Sequence, residues 1–164
     1  MKILEKIDRM GIIPDKMLLQ LYPPFLFMGV KILHLRDDYR SMTVKLPLRW
    51  YGSNMHGTLF GGWLSAVSDP LAALLCAKIF PDVVVWTKSH HIEFKRPAAS
   101  DVTMQVEITD TDIEAIRKSL DTTGRAHHCF EFDIKDSKDK VVARVKNTPF
   151  LGLKGQIKGR KPDD

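Results

Sequence analysis

The chain has 164 residues, 44% of them hydrophobic and 27% charged, with a formal net charge of +5. Those proportions suit one folded domain and exclude disorder except at the ends. The basic residues are scattered except for Lys154, Lys158, Arg160 and Lys161. The excess therefore reads as a solvated tail that also suits an anionic ligand, and not as a nucleic-acid surface.

In chain order, the first element is a short helical pattern, Ile3, Leu4, Ile7 and Met10, broken at Gly11. Its charges recur too often for the core of a signal peptide. Pro14 suits the first turn of a second helix over 15–21, and Pro23-Pro24 is expected to end it. Met28, Val30 and Ile32 then alternate with Gly29, Lys31 and Leu33, which predicts a strand. A turn at Asp37-Asp38 leads to a second strand with Met42, Val44 and Leu46, stopped by Pro47. After a loop over 48–55 comes a helix over about 57–80, apolar on all sides. Its length resembles a membrane span. Asp69, Pro70, three glycines and two serines within it, and the polar strands that follow, favour a buried core helix.

The second half reads mainly as strands. A long one is expected over 83–96, with Val84, Trp86, Ile92 and Phe94 on one face. Val102, Met104, Val106 and Ile108 alternate with Thr103, Gln105 and Glu107, the pattern of a half-buried strand. A short surface helix is expected over 112–120. His128, Phe130, Phe132 and Ile134 share a face of the next strand, and a turn over 136–140 leads to a last strand over 141–153. Cys76 and Cys129 lack metal-ligand spacing and read as buried free thiols in a reducing cytoplasm. Short connections favour antiparallel pairing, and a curved antiparallel sheet needs an apolar element over its inner face. The expected class is α+β, an antiparallel sheet wrapped around a long central helix with helices before it. One domain is expected over 1–155, with a disordered basic tail over 156–164.

Asp69 is the one charged residue from Gly57 to Ala77. Burying a lone carboxylate is costly unless it is hydrogen-bonded or protonated, so such a residue is a site candidate. The competing reading is a carboxylate bonded to Ser65 or Ser68, or one facing a wet subunit interface. Pro70 lacks an N–H and clashes with the Ala66 carbonyl, so a kink is expected beside Asp69. Gly61-Gly62 expose backbone N–H groups at the positive end of the helix, where a developing oxyanion can be held. Close packing on the sheet explains the same pair. Eight residues separate Gly61 from Asp69, about 12 Å along a helix. One helix cannot bring both to one thioester, but two antiparallel helices from two subunits can. A dimer, or a dimer of dimers, is expected if both act.

With these residues in place, the sequence resembles the hotdog-fold acyl-CoA thioesterases of the phenylacetyl-CoA type. Those carry an Asn, then His-Gly-Gly, then an Asp nine residues after the His. Asn54, Gly61, Gly62 and Asp69 match that spacing over a resemblance running from about Tyr22 to Leu153, while Phe60 stands at the histidine position. The resemblance implies a hotdog fold and hydrolysis of an acyl thioester to free acid and coenzyme A. Asp69 would be nucleophile or general base, and the Gly61 N–H, with Gly62, would polarise the carbonyl. Asn54 would position substrate or water. Phenylalanine cannot donate a hydrogen bond, and His56, four residues earlier, is the candidate replacement.

Phe60, Ser65, Lys88 and His90 are candidates to face the substrate, and Lys95-Arg96 to clamp its phosphates. No cofactor is implied beyond the coenzyme A of the substrate, and no metal. Two other readings stay open. One is a hydratase or dehydratase pairing Asp69 with His56 or His90. The other is a non-catalytic acyl-thioester or fatty-acid binding protein, for which Phe60 is the argument.

Overall fold

The computed structural model describes residues 15–155; the helical pattern expected over 3–10 and the tail expected over 156–164 lie outside them. Two short helices, α1 (Asp15–Gln20) and α2 (Pro23–Met28), precede β1 (Lys31–Leu35) and β2 (Ser41–Leu46). The central helix follows as two pieces, α3 (Gly61–Ser68) and α4 (Leu71–Ile79). Then come β3 (Val83–Phe94), β4 (Val102–Glu107), α5 (Asp110–Thr123), β5 (Arg125–His127), β6 (Phe130–Asp136) and β7 (Val141–Leu153). The seven strands form one antiparallel sheet in the order β1-β2-β4-β6-β7-β3, with β5 also on β7.

The sheet curls around α3 and α4. Leu64, Val67, Leu71, Ala72 and Leu75 are buried there with Met42, Val44, Met104, Ile134 and Val145 of the sheet. Each of these side chains other than Ala72 contributes about 1.5–3 kcal/mol by leaving water. The alternation read in β4 holds, with Val102, Met104 and Val106 inward. Together α3 and α4 form a stretch, Gly61–Ile79, long and apolar enough by length and composition to cross a membrane. Its inner face is spent on the core of the sheet.

Several expected boundaries move. α1 ends at Gln20, ahead of Pro23-Pro24, and the two prolines also begin α2, because the first helical turn needs no N–H. Gly29 closes α2 in the left-handed conformation (φ 70°), so β1 starts at Lys31 and not at Met28. The central helix starts at Gly61, later than the expected residue 57, because residues 54–58 are folded into a turn by the Asn54 side chain. It breaks at Asp69-Pro70, beside the expected kink. α5 is longer than expected, since Thr109 and Asp112 close a capping box at its start.

The largest correction concerns β3. Thr87 pairs with Pro149 and Ser89 with Thr148, leaving Lys88 as a bulge. Pro149 lies in a strand with neighbours on both sides and has no N–H to give. Its flanking pairings are interrupted on both sides: β3 bulges opposite it, and β5 and β6 separate at His128-Cys129. The bulge reverses the alternation, so Thr87 and His90 both meet the helix. Trp86 therefore does not share a face with His90 and Ile92; it stacks on Phe150 of β7 at 4.2 Å between ring centroids. Cys129, expected to be buried, is exposed at the β5–β6 break. Cys76 is buried, and that burial pushes its thiol up to about 12.

Candidate functional site

The N-terminal end of α3 is built by the loop before it. Asn54 Oδ1 accepts from the N–H groups of His56 and Thr58, and its Nδ2 donates to Thr58 Oγ1 at 2.9 Å. Gly57 takes a positive φ of 72° to close this turn. Phe60 is the extended residue before the helix, and its carbonyl accepts the first helical bonds, from Trp63 and Leu64. The amides of Gly61 and Gly62 therefore lie ahead of the helical ladder, at its positive end. Phenyl rings flank both. A β-carbon at Gly61 would fall 3.1 Å from Phe94 Cζ, and one at Gly62 2.5 Å from Phe60 Cε1. This end opens on a groove of about 660 Å³ that brings together Asn54, His56, Gly61, Lys95 and Arg96. Lys95 pairs with Glu93, and the Lys95 and Arg96 amides are tied to the Val142 carbonyl.

The C-terminal end is built by the sheet. Asp69 caps α3, its N–H bonded to Ser65 O at 3.0 Å. Its carbonyl accepts from Thr87 Oγ1 of β3 at 3.1 Å and from Asn147 Nδ2 of β7 at 2.9 Å. Asp69 is half-buried in the chain, not enclosed as its apolar neighbours suggest, because it sits where the helix breaks. It borders a separate groove of about 380 Å³ with Pro70, Ala73, Leu74, Trp86 and Thr87. Gly61 and Asp69 thus open on different grooves, as their spacing requires.

His90 lies between the two ends. Its Nε2 is 3.0 Å from Ser68 Oγ and its Nδ1 3.5 Å from Ser65 Oγ. Ser68 has one hydroxyl proton, and the 2.7 Å contact to Leu64 O takes it. Ser68 then accepts from His90 Nε2–H, which leaves Nδ1 as the acceptor facing the Ser65 hydroxyl. Burial holds the His90 imidazole below the usual histidine range, against the opposing pull of the Asp69 carboxylate. Lys88 projects as the exposed bulge residue, and His91 lies over the outer face beside Glu93 and Lys146. Ser68, read from the sequence as a partner of the Asp69 carboxylate, meets His90 and the helix carbonyls instead, and Thr87 and Asn147 were not singled out from the sequence. Asn147 had a signal, being the polar member of an inward row with Ala143, Val145 and Leu151.

The model of a family described as a domain of unknown function, DUF4442, matches residues 13–151. No curated protein matches the chain. Among solved structures, a Pseudomonas aeruginosa protein described as a "probable thioesterase" of unknown function superposes with a TM-score of 0.76 at 17% identity, covering 86% of this chain and 97% of that one. A thioesterase from Haemophilus influenzae gives 0.65 at 17% identity over 82% and 86%. The E. coli PaaI protein of the phenylacetic acid degradation operon gives 0.63 at 16% over 82% and 89%. These likenesses establish the hotdog architecture, shared with thioesterase-like proteins. The chain belongs to the DUF4442 family and carries that domain on a hotdog fold.

Proposed function

We propose that the protein hydrolyses an acyl-coenzyme A thioester, with Asp69 as nucleophile or general base and the Gly61 N–H of the partner subunit polarising the carbonyl. The observation that carries this reading is the division of the two groups between grooves at opposite ends of α3. Neither groove is complete alone. A two-fold pairing of chains with antiparallel helices would put each end against the other's complement. β3 favours such a pairing. It is 12 residues long and, among the described residues, forms the sheet edge and pairs with β7 alone, so its outer row of backbone groups suits a second copy. Water adds to the thioester carbon, the C–S bond breaks, and the thiol leaves with one proton.

The surroundings supply a place for each part of the substrate. Lys95 and Arg96 at the Gly61 groove suit coenzyme A phosphates, and the exposed Phe60 and Phe94 suit its apolar parts. At the other end, the Asp69 groove shares Leu74 and Ala77 with an apolar cavity of about 420 Å³ lined by Leu19, Leu35, Met42 and Leu75. An acyl chain entering at Asp69 would run over α4 into that cavity. The test is hydrolysis across acyl-coenzyme A lengths by the wild type and Asp69→Asn. The variant is expected to fold and to lose about 10²–10⁴-fold in rate; full activity would remove Asp69 from the reaction.

One observation favours a second reading. His90 feels the Asp69 carboxylate within the same chain, and its Nδ1 is the acceptor nitrogen, facing Ser65. An acid paired with a histidine is the equipment for adding water to an enoyl thioester. Turnover of an enoyl-coenzyme A without thioester cleavage would select it.

A further inference from the structure

We propose that Asn147 is a positioning residue for Asp69, acting through the main chain at the break between α3 and α4. The inference rests on Asp69 being the reacting carboxylate and adds what aims it. In an unbroken helix, the carbonyl of each residue is held by an N–H four residues on, and the side-chain direction follows. Pro70 has no N–H for the Ala66 carbonyl, and the ladder restarts with Leu74 N–H on Pro70 O, so the Asp69 carbonyl falls between the two helices. Its carbonyl is held instead from the sheet, by Asn147 Nδ2 at 2.9 Å and Thr87 Oγ1 at 3.1 Å. The Asp69 Cα lies one bond from that carbonyl. Fixing the carbonyl on two sides fixes the direction in which the carboxylate leaves the backbone.

Asn147 is an expensive choice for packing alone. It is fully buried, on the inward row of a central strand, where Val145 and Leu151 are its apolar counterparts. The Asp69 carbonyl can only accept, so the amide must turn its NH₂ that way. The other end, Oδ1, is then buried without a hydrogen-bond partner. An aliphatic side chain would leave no such orphan. What asparagine adds here is the donor to Asp69. The β3 bulge brings the second donor, since it turns Thr87 as well as His90 toward the helix while His90 stays opposite Asn147.

The test uses Asn147→Ala and the near-isosteric Thr87→Val in the full chain, each in the wild-type and Asp69→Asn backgrounds. Steady-state acyl-coenzyme A hydrolysis is measured, together with the ¹³C resonance of the Asp69 carboxyl without substrate. With Asp69 present, Asn147→Ala is expected to lower kcat about 10–100-fold with KM within about twofold. It is expected to leave the residual rate of Asp69→Asn unchanged and to shift the Asp69 carboxyl resonance. Thr87→Val should repeat the pattern more weakly, and it carries the test if Asn147→Ala does not fold. Equal losses in both backgrounds, or an unmoved carboxyl resonance in a folded variant, overturn the proposal. A wild type that cleaves no acyl thioester overturns the hydrolase reading instead, and the resonance then decides the role of Asn147.

Discussion

The two ends of α3 are built by opposite means. At Gly61 the proposed chemistry is backbone, half-buried beside Phe94 and shaped by a local loop in which Asn54 makes the turn. At Asp69 the chemistry is a side chain, and its backbone is held by β3 and β7, the latter 78 residues away along the chain. A local loop can be read from a short motif. A site assembled from three distant elements cannot. The same contrast is why the proposed site takes two chains: eight residues of helix hold the ends about 12 Å apart, several times the reach of a hydrogen bond.

The strongest way to break that comparison is to disable one end in each of two chains. Gly61→Pro removes the N–H at the first helical position, where proline fits, and the extended Phe60 before it suits a following proline. Its β-carbon would need only a small movement of the half-exposed Phe94 ring. Gly61→Pro and Asp69→Asn are each expected to lose about 10²-fold or more in hydrolysis. Unfolded together and refolded at equal amounts, they should regain about one quarter of wild-type activity. Half of the dimers are then mixed, and each has one intact composite site. No recovery on mixing, with mixed dimers shown to form, would place both groups in one chain.

A smaller effect sharpens the Asp69 end. Leu74 borders both the Asp69 groove and the apolar cavity, so Leu74→Trp should narrow the passage between them. The expected outcome is about a tenfold loss of kcat/KM for long acyl chains against short ones. An unchanged length profile would move the acyl chain elsewhere.

These predictions also mark how far the sequence could be read. The curled sheet was legible because Val102, Met104 and Val106 alternate strictly, and the central helix because 61–79 is almost free of charge. The Gly61 end was legible as a motif. The Asp69 end was visible only as one odd charge. What surrounds it depends on a bulge at Lys88, and the stretch Trp86-Thr-Lys-Ser-His-His has no glycine or proline to announce it. The cause lies on the partner strand. Pro149 removes a ladder donor, and the register slips opposite it, which carried Trp86 away from the face it was expected to share with Ile92. Reading one strand at a time misses such a slip; asking which strand must tolerate Pro149 would have found it. Asn147 was legible in the same way, as a polar residue on an apolar row.

The smallest expected effect concerns His90, which joins the two regions through Ser65 and Ser68. Burial lowers its folded pKa below the ordinary value near 6.5, so the folded chain binds the proton less readily than the unfolded chain. The stability linked to His90 is therefore complete above about pH 6.5 and is lost as pH falls through that value toward the lowered one. Asp101 and Asp112 act in a different window. Burial opposes the Asp112 shift, but hydrogen bonds from Thr109 and His128 outweigh it, and those of Lys45 and Leu48 hold Asp101 down. Their contributions persist until the pH falls through the acid range below about 4. Between those windows, the difference between the wild type and a His90 variant isolates the imidazole. His90→Gln keeps an amide donor for Ser68 and removes the titration, so its thermal stability should fall less than the wild type's between about pH 6.5 and 5. Parallel curves in that interval would mean that the ring is hydrated in the assembled protein. The space between the two ends of α3 would then be open to water, and the His90 lone pair could not be treated as a dry base beside Asp69.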